Sequence, residues 1–135
     1  MKNFILSSIL AISLGSTAFA NGSLILVVDV SDSIQPSDMT MQLNSYAKAM
    51  TSVASLHNMH VSVITFGNMA TLVSDGSNLE AAKAFNNLTL SGTGGTTCLE
   101  TALALADVLI DTLATPIVLD ITGDGEANCA QSGQV

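Results

Sequence analysis

Two kinds of segment follow each other along the chain. Some are continuous apolar runs, and others place apolar residues at the spacing of a helix. The first run, residues 23–30, is rich in Val and Ile, which is typical of a strand buried on both faces of a parallel sheet. Similar runs predict strands at residues 60–66 and 116–121. After the second of these three strands, Gly67-Asn68 favours a tight turn into residues 70–73, which we expect to form an antiparallel edge strand.

Three stretches between the apolar runs have the periodicity of helices. Residues 37–56, 78–88 and 99–113 place apolar side chains three and four positions apart, most regularly in the last stretch. The order is therefore β-α-β-β-α-α-β, which predicts an α/β fold with a Rossmann-like, doubly wound and mostly parallel sheet. Right-handed crossovers bring the carboxyl ends of its parallel strands to one edge, where such folds bind ligands.

The first twenty residues have the pattern of a secretory signal peptide. Lys2 precedes an apolar stretch at 4–14, and Ala18-Phe19-Ala20 forms a small-x-small cleavage site. A transmembrane anchor is the alternative, but this stretch is shorter than the ~20 residues that a bilayer requires. We therefore expect cleavage after Ala20, a domain at residues 21–135, and a protein exported to the periplasm or the medium with no membrane insertion.

Composition narrows the classes of partner. Hydrophobic residues make up 48% of the chain and charged residues 10%, which is sufficient for a folded core. Eleven acidic residues stand against three lysines, so the formal net charge is −8. Such a chain lacks the basic side chains that binding to nucleic acid or to an anionic membrane surface requires. A cation is the ligand that this charge favours.

Polar clusters follow the predicted strands at the edge where ligands bind. Alternate residues Asp29, Ser31 and Ser33 come at the end of the first strand and can point the same way. A loop rich in Gly and Thr, residues 92–97, precedes the most regular helix, and Asp124 follows the last strand between two glycines. Carboxylate and hydroxyl oxygens are hard ligands that suit Mg²⁺ or Mn²⁺.

These three clusters resemble the metal-ion-dependent adhesion site of the von Willebrand factor type A domain. The D-x-S-x-S motif of that family matches residues 29–33, its loop threonine falls at 96 or 97, and its third-loop aspartate matches Asp124. Gly123-Asp124-Gly125, followed by Asn128, is most similar to a bacterial secreted subfamily without assigned function. The resemblance implies binding without turnover: Asp29, Ser31, Ser33, one threonine and Asp124 hold Mg²⁺ or Mn²⁺, and an acidic side chain of a protein partner completes the coordination.

The choice of threonine has two alternatives. Counting back six residues from Leu103, in its Ala-Leu context, selects Thr97, whereas the Gly-Gly-Thr string selects Thr96. We prefer Thr97, although Thr97 and Glu100 also fit the capping box that begins a helix. Asp120 is a further unusual residue, because it is a carboxylate inside an apolar strand. It is either a group that orients a ligand of the metal or a buried carboxylate with a partner elsewhere.

The two cysteines, Cys98 and Cys129, form a disulfide by default in an oxidising compartment. A zinc site is less consistent with the sequence, because structural zinc needs four ligands and the chain has no C-x-x-C motif. Given the family resemblance, the predicted bridge connects the second and third metal loops. It would stabilise the fold by about 3–4 kcal/mol on the chain-entropy account.

A phosphohydrolase with Asp29 as nucleophile and Mg²⁺ as cofactor is the alternative function. Such enzymes need a second carboxylate two residues after the nucleophile, where this chain has Ser31. They also need a suitably placed lysine, and Lys83 is not at the expected place.

Length is the clearest departure from the von Willebrand factor type A family, since its members usually continue with further helices and two more strands. We expect either a fragment or a natural short form that a partner chain completes.

Overall fold

The computed structural model describes residues 21–32, 34–88 and 96–123. The predicted leader, Ser33, residues 89–95 and the last twelve residues lie outside these ranges. The described part alternates strands and helices in the predicted order, with one short 3₁₀ helix at Ala54–Asn58. The elements are β1 (Ser23–Asp29), α1 (Pro36–Ser52), β2 (His60–Phe66), β3 (Ala70–Gly76), α2 (Asn78–Asn87), α3 (Leu99–Ile110) and β4 (Ile117–Thr122).

The four described strands form one sheet in the order β3-β2-β1-β4. β1 pairs in parallel with β2 and β4, whereas β3 pairs antiparallel with β2. The predicted fold class, a mostly parallel sheet with one antiparallel edge strand, is confirmed. Asp29 is in register with Phe66, and Val28 with Thr122. The carboxyl ends of the three parallel strands therefore meet along one edge, which we call the carboxyl edge.

Several predicted boundaries shift by a few residues. The helix expected over 37–56 ends at Ser52, because Val53 adopts an extended conformation before the 3₁₀ helix begins. α3 ends at Ile110 rather than at Leu113, and the amides of Thr112 and Leu113 close two tight turns there. β3 is longer than predicted and continues through Gly76. β4 begins and ends one residue later than predicted.

Helices α1 and α2 cover one face of the sheet. Leu24, Leu26 and Val28 of β1 point into this core. Tyr46 of α1 stacks on Phe85 of α2, with ring centroids 5.0 Å apart. This stacking adds to the large apolar area that two aromatic side chains bury. The buried face therefore joins β1 firmly to α1 and α2.

Helix α3 covers the opposite face. Ile25 and Val27 of β1 pack there with Ile64, and α3 contributes the small side chains of Ala102 and Ala106. Small residues allow a helix to approach the sheet closely. β1 is thus buried on both faces, as its continuous apolar sequence predicted. Among the residues that the structure describes, no helix has both the length and the apolar character to cross a membrane.

Candidate metal site

The end of β1 places a carboxylate and a hydroxyl at the carboxyl edge. Asp29 is the last residue of the strand, and its Oδ1 accepts a hydrogen bond of 2.8 Å from the backbone N–H of Ser31. Val30 between them is buried in the core beneath α1, which confirms the predicted alternation. Ser33, the third residue of the motif, lies outside the described residues.

The segment before α3 brings Thr97 to the same place. Its Oγ1 donates a hydrogen bond of 3.1 Å to Oγ of Ser31, across 66 residues of sequence. Asp29, Ser31 and Thr97 are 0%, 1% and 4% exposed. α3 begins after Cys98 with no side-chain cap in the described structure, so the capping-box role considered for Thr97 is wrong.

Thr96 makes different contacts from its neighbour. Its backbone N–H donates to the side-chain oxygen of Asn68 at 3.0 Å, and its hydroxyl donates to the same oxygen. Asn68 lies in the turn between β2 and β3. The described structure therefore joins Thr97, and not Thr96, to Ser31 at the end of β1.

The end of β4 provides the third segment. A Cβ atom on Gly123 would lie 3.1 Å from Oδ2 of Asp29 and 3.3 Å from its Cβ. This separation is tighter than ordinary van der Waals contact, so a glycine is what allows the turn after β4 to approach the carboxylate. Asp124, the predicted ligand from this turn, lies outside the described residues. The described parts of the three clusters do converge as the sequence predicted.

A second polar group lies under this edge, between α1 and β4. Tyr46 and Thr122 are fully buried, and neither hydroxyl makes a well-formed hydrogen bond within the described ranges. Burial raises the pKa of Tyr46 well above its usual value, the nearby Thr122 hydroxyl opposes that rise, and the charge of Asp120 adds to it. Asp120 is therefore close enough to Tyr46 to affect its pKa. No feature of the sequence indicated this proximity.

The opposite edge of the sheet carries its own polar cluster, which sequence reasoning missed. Nε2 of His60 lies 2.6 Å from Oδ1 of Asp75, and the Ser62 hydroxyl donates to the same oxygen at 2.7 Å. The hydrogen bond with His60 lowers the pKa of Asp75, and the smaller contribution of burial opposes this. The pair is partly exposed and lies far from Asp29, because His60 is in register with the first residue of β1.

Cys98 is buried next to the site and is not a free thiol. Its backbone N–H donates to the carbonyl of Gly67 at 2.9 Å, which holds the segment before α3 against the turn after β2. Cys129 lies outside the described residues. The predicted bridge between the two cysteines stays a prediction.

The donors at the carboxyl edge fit a hard divalent cation. One carboxylate and two hydroxyls, all buried, come together from two segments, and the glycine of a third leaves room beside the carboxylate. Oxygen donors of this kind suit Mg²⁺ and Mn²⁺. In the described part of the chain, no three His, Cys, Asp or Glu side chains form a group that could hold a metal.

Sequence comparison identifies the family to which this mixed α/β sheet belongs. Residues 24–126 match the von Willebrand factor type A domain. The match covers most of the chain, including β1, the segment before α3 and the end of β4. The chain belongs to this family. A search of curated proteins finds no match for it.

Solved structures share the fold at low sequence identity. The ArnB paralog VWA2 from Sulfolobus acidocaldarius has a TM-score of 0.60 and 16% identity over 82% of this chain. Proximal thread matrix protein 1 from the mussel byssus has a TM-score of 0.64 and 16% identity over 79% of this chain. That mussel protein has also been solved with a zinc-occupied metal-ion-dependent adhesion site, with a TM-score of 0.51, 17% identity and 84% coverage of this chain.

The solved proteins are longer than the part that this chain matches. The chain covers 29% of the Sulfolobus protein and 31% and 33% of the two mussel structures. It covers 50% of an uncharacterized membrane spanning protein from Vibrio fischeri, at a TM-score of 0.54 and 16% identity over 67% of this chain. At these identities the likeness establishes the fold alone.

Proposed function

We propose that this chain is an exported protein-binding module that depends on a divalent cation. Asp29, Ser31, Ser33, Thr97 and Asp124 hold Mg²⁺ or Mn²⁺ at the carboxyl edge. An acidic side chain of a partner protein completes the coordination. The cation supplies the positive charge and the open position that attract this carboxylate to an otherwise acidic chain.

The observation that carries the proposal is the contact of Thr97 with Ser31 beside Asp29. Two hydroxyls 3.1 Å apart and a fully buried carboxylate come from segments far apart in the sequence. Burying a charge is costly unless it is paired or binds a metal. Metal binding accounts for this group of buried oxygen atoms, whereas packing of the core does not require it.

The choice of Mg²⁺ or Mn²⁺ rests on the chemistry of the donors. Carboxylate and hydroxyl oxygens bind hard cations, and neither imidazole nor thiolate belongs to the proposed set. The zinc found in the mussel protein supports a divalent site in this fold. Zn²⁺ is therefore the third cation to compare in any binding experiment.

Export and the cysteine bridge are part of the same proposal. Cleavage after Ala20 would deliver the chain to an oxidising compartment, where Cys98 and Cys129 would connect two metal loops. Mass spectrometry of the secreted or periplasmic protein tests both steps. The expected mature chain begins at Asn21 and is lighter by two hydrogens than its reduced form.

Thermal unfolding of the purified chain tests cation binding. In Mg²⁺ or Mn²⁺ at ~100 times its dissociation constant, the free energy of unfolding should exceed that in EDTA by about 2.7 kcal/mol. Asp29→Ala should abolish this difference. Asp75→Ala is the matched control, because it removes an aspartate from the opposite edge and should keep the difference. A free energy of unfolding that is the same with the cation and in EDTA would contradict the proposal.

A peptide pair tests the carboxylate partner. With Mn²⁺ bound, a peptide with an amidated C-terminus and aspartate as its only carboxylate should displace water from the ion and reduce the effect of Mn²⁺ on water proton relaxation. The same peptide with asparagine should have no effect. Equal responses to both peptides would leave cation binding intact and refute the role of the carboxylate.

A further inference from the structure

The turn between β2 and β3 lies at the carboxyl edge and contacts the segment that carries Thr97. β2 ends at Phe66, which is in register with Asp29, and the backbone N–H of Val30 donates to the carbonyl of Phe66 at 2.9 Å. The turn that follows is therefore attached directly to the strand end that presents Asp29. None of its residues belongs to the proposed ligand set.

Asn68 in this turn makes two contacts with one residue. Its side-chain oxygen accepts hydrogen bonds from the backbone N–H and from the hydroxyl of Thr96. A carbonyl oxygen has two lone pairs, so a single asparagine can satisfy both donors. The side chain of Asn68 thereby fixes both the backbone and the side chain of Thr96.

A second contact holds the other side of Thr97. The backbone N–H of Cys98 donates to the carbonyl of Gly67 at 2.9 Å. Residues 96 and 98 are thus both attached to the same turn, one through a side chain and one through the backbone. Thr97 lies between these two attachments, and its hydroxyl reaches Ser31 at 3.1 Å.

We infer that Asn68 is a positioning residue for the cation site: it sets the place of the Thr97 hydroxyl without touching the ion. The inference rests on the proposed function, because it assumes that Thr97 is a ligand. The two threonines then have different roles. Thr96 fastens the segment to the turn after β2, and Thr97 faces Ser31 and the ion.

Mn²⁺ affinity measured by calorimetry tests this role. Asn68→Ala should weaken binding about tenfold, because the segment loses its side-chain attachment. Asn68→Asp keeps the accepting oxygen and should stay within a few-fold of the wild type. Asn44→Ala, at an exposed position of α1, is the matched control and should change nothing. Thermal unfolding in EDTA verifies that every variant is folded.

A double-variant cycle separates positioning from a general loss of stability. If Asn68 acts through Thr97, Asn68→Ala should have no further effect on Mn²⁺ affinity once Thr97→Val has removed the hydroxyl. Amide exchange in EDTA gives a readout without metal: Asn68→Ala should speed exchange of the Cys98 amide. Exchange at Val63 in the core of β2 should stay unchanged.

The possible failures are distinguishable. A wild-type chain that binds no Mn²⁺ would overturn the proposed function and the inference with it. Wild-type binding that Asn68→Ala leaves intact would overturn the inference alone. Additive losses in the double variant would also overturn it, because they would show that Asn68 acts independently of Thr97. If Asn68→Ala does not fold, Thr96→Val removes one of the two donors and should weaken binding a few-fold.

Discussion

The two edges of the sheet each carry an aspartate, and the two aspartates have opposite surroundings. Asp29 at the carboxyl edge is fully buried beside the hydroxyls of Ser31 and Thr97. Asp75 at the other edge is partly exposed and pairs with His60 and Ser62. The second carboxylate already has a cationic partner when His60 is protonated. The first lies among oxygen atoms that suit a hard cation, with the hydroxyls of Ser31 and Thr97 among its described neighbours.

The difference shows why residue type alone does not identify a site. Both aspartates lie at strand ends, and both accept hydrogen bonds from nearby residues. Burial and the absence of charge on the neighbouring hydroxyls favour a cation at Asp29. Exposure and a histidine partner give Asp75 a local role in holding β3 to β2, where ion pairs contribute little to stability.

After the loss of Asp29, which should abolish binding, the largest effect is expected at the threonine that faces Ser31. Thr97→Val should weaken Mn²⁺ binding about thirtyfold, ~2 kcal/mol, because it removes the hydroxyl that we propose as a ligand of the cation. Thr96→Val should cost only a few-fold, since the Thr96 hydroxyl contacts Asn68. Calorimetric titration of the two single variants measures this. Equal losses would show that the preference for Thr97 is wrong.

Alkaline pH tests the buried surroundings beneath the carboxyl edge. Burial raises the pKa of Tyr46, so above pH ~10 the unfolded chain ionises while the folded chain stays neutral. The free energy of unfolding should therefore fall by about 1.4 kcal/mol per pH unit above that point. Tyr46→Phe should lack this component of the pH dependence.

The chain has one tyrosine, so tyrosinate absorbance reports on Tyr46 alone. We expect the native chain to show no tyrosinate until it unfolds in alkali. Ionisation of the folded protein near pH ~10, as in a model peptide, would contradict the burial of this hydroxyl.

Two glycines beside carboxylates offer a matched pair of substitutions. A methyl group at Gly123 would press on Asp29, and one at Gly76 would press on the side chain of Glu80. Gly123→Ala should weaken Mn²⁺ binding about fivefold, ~1 kcal/mol. Gly76→Ala should disturb the capping box of Ser77 and Glu80, which costs about 1 kcal/mol of stability and leaves Mn²⁺ affinity unchanged.

Calorimetric titration and thermal unfolding, applied to both glycine variants, give four values that test the distinction between the edges. Weaker Mn²⁺ binding in Gly76→Ala would show that the two edges are coupled. Unchanged binding in Gly123→Ala would show that a methyl group at this position does not press on the carboxylate of Asp29.

The smallest effect is expected at Asp75. Its pKa is lowered, chiefly by the hydrogen bond with His60. The pair therefore contributes stability above the usual aspartate pKa of ~3.9, and that contribution is lost as pH falls through the lowered value. Asp75→Asn should destabilise the chain at neutral pH by about 0.5 kcal/mol or less, as is usual for an exposed pair.

Unfolding midpoints of wild type and Asp75→Asn should converge in acid. A constant difference across this range would mean that the asparagine disturbs packing instead of removing an ion pair. His57→Gln serves as a control, because His57 is exposed and lies outside this cluster.

Much of the fold was accessible from local sequence pattern. The apolar run of β1 predicted burial on both faces, and alternation in its last residues placed Asp29 and Ser31 together with Val30 facing the core. Contacts between distant residues were not accessible. Nothing in the sequence pairs Asn68 with Thr96, 28 residues apart, or places Tyr46 near Asp120, because such contacts depend on how helices and turns pack on the finished sheet.

Helix boundaries show a similar division. Periodicity predicted helices in all three correct places, but it continued through Val53 and beyond Ile110 because apolar spacing does not reveal where the backbone turns. The capping box of Ser77 and Glu80 is a purely local signal that marks the start of α2. Thr97 and Glu100 have the same spacing, yet Thr97 contacts Ser31 instead.

Direct counting of bound Mn²⁺ tests the central claim most simply. Electron paramagnetic resonance of free Mn²⁺ gives the number of ions bound per chain for wild type, Asp29→Ala and Asp75→Ala. We predict one bound ion for wild type and for Asp75→Ala, and none for Asp29→Ala at the same concentration. Equal binding by all three chains would place the cation elsewhere and contradict the assignment of the carboxyl edge as the metal site.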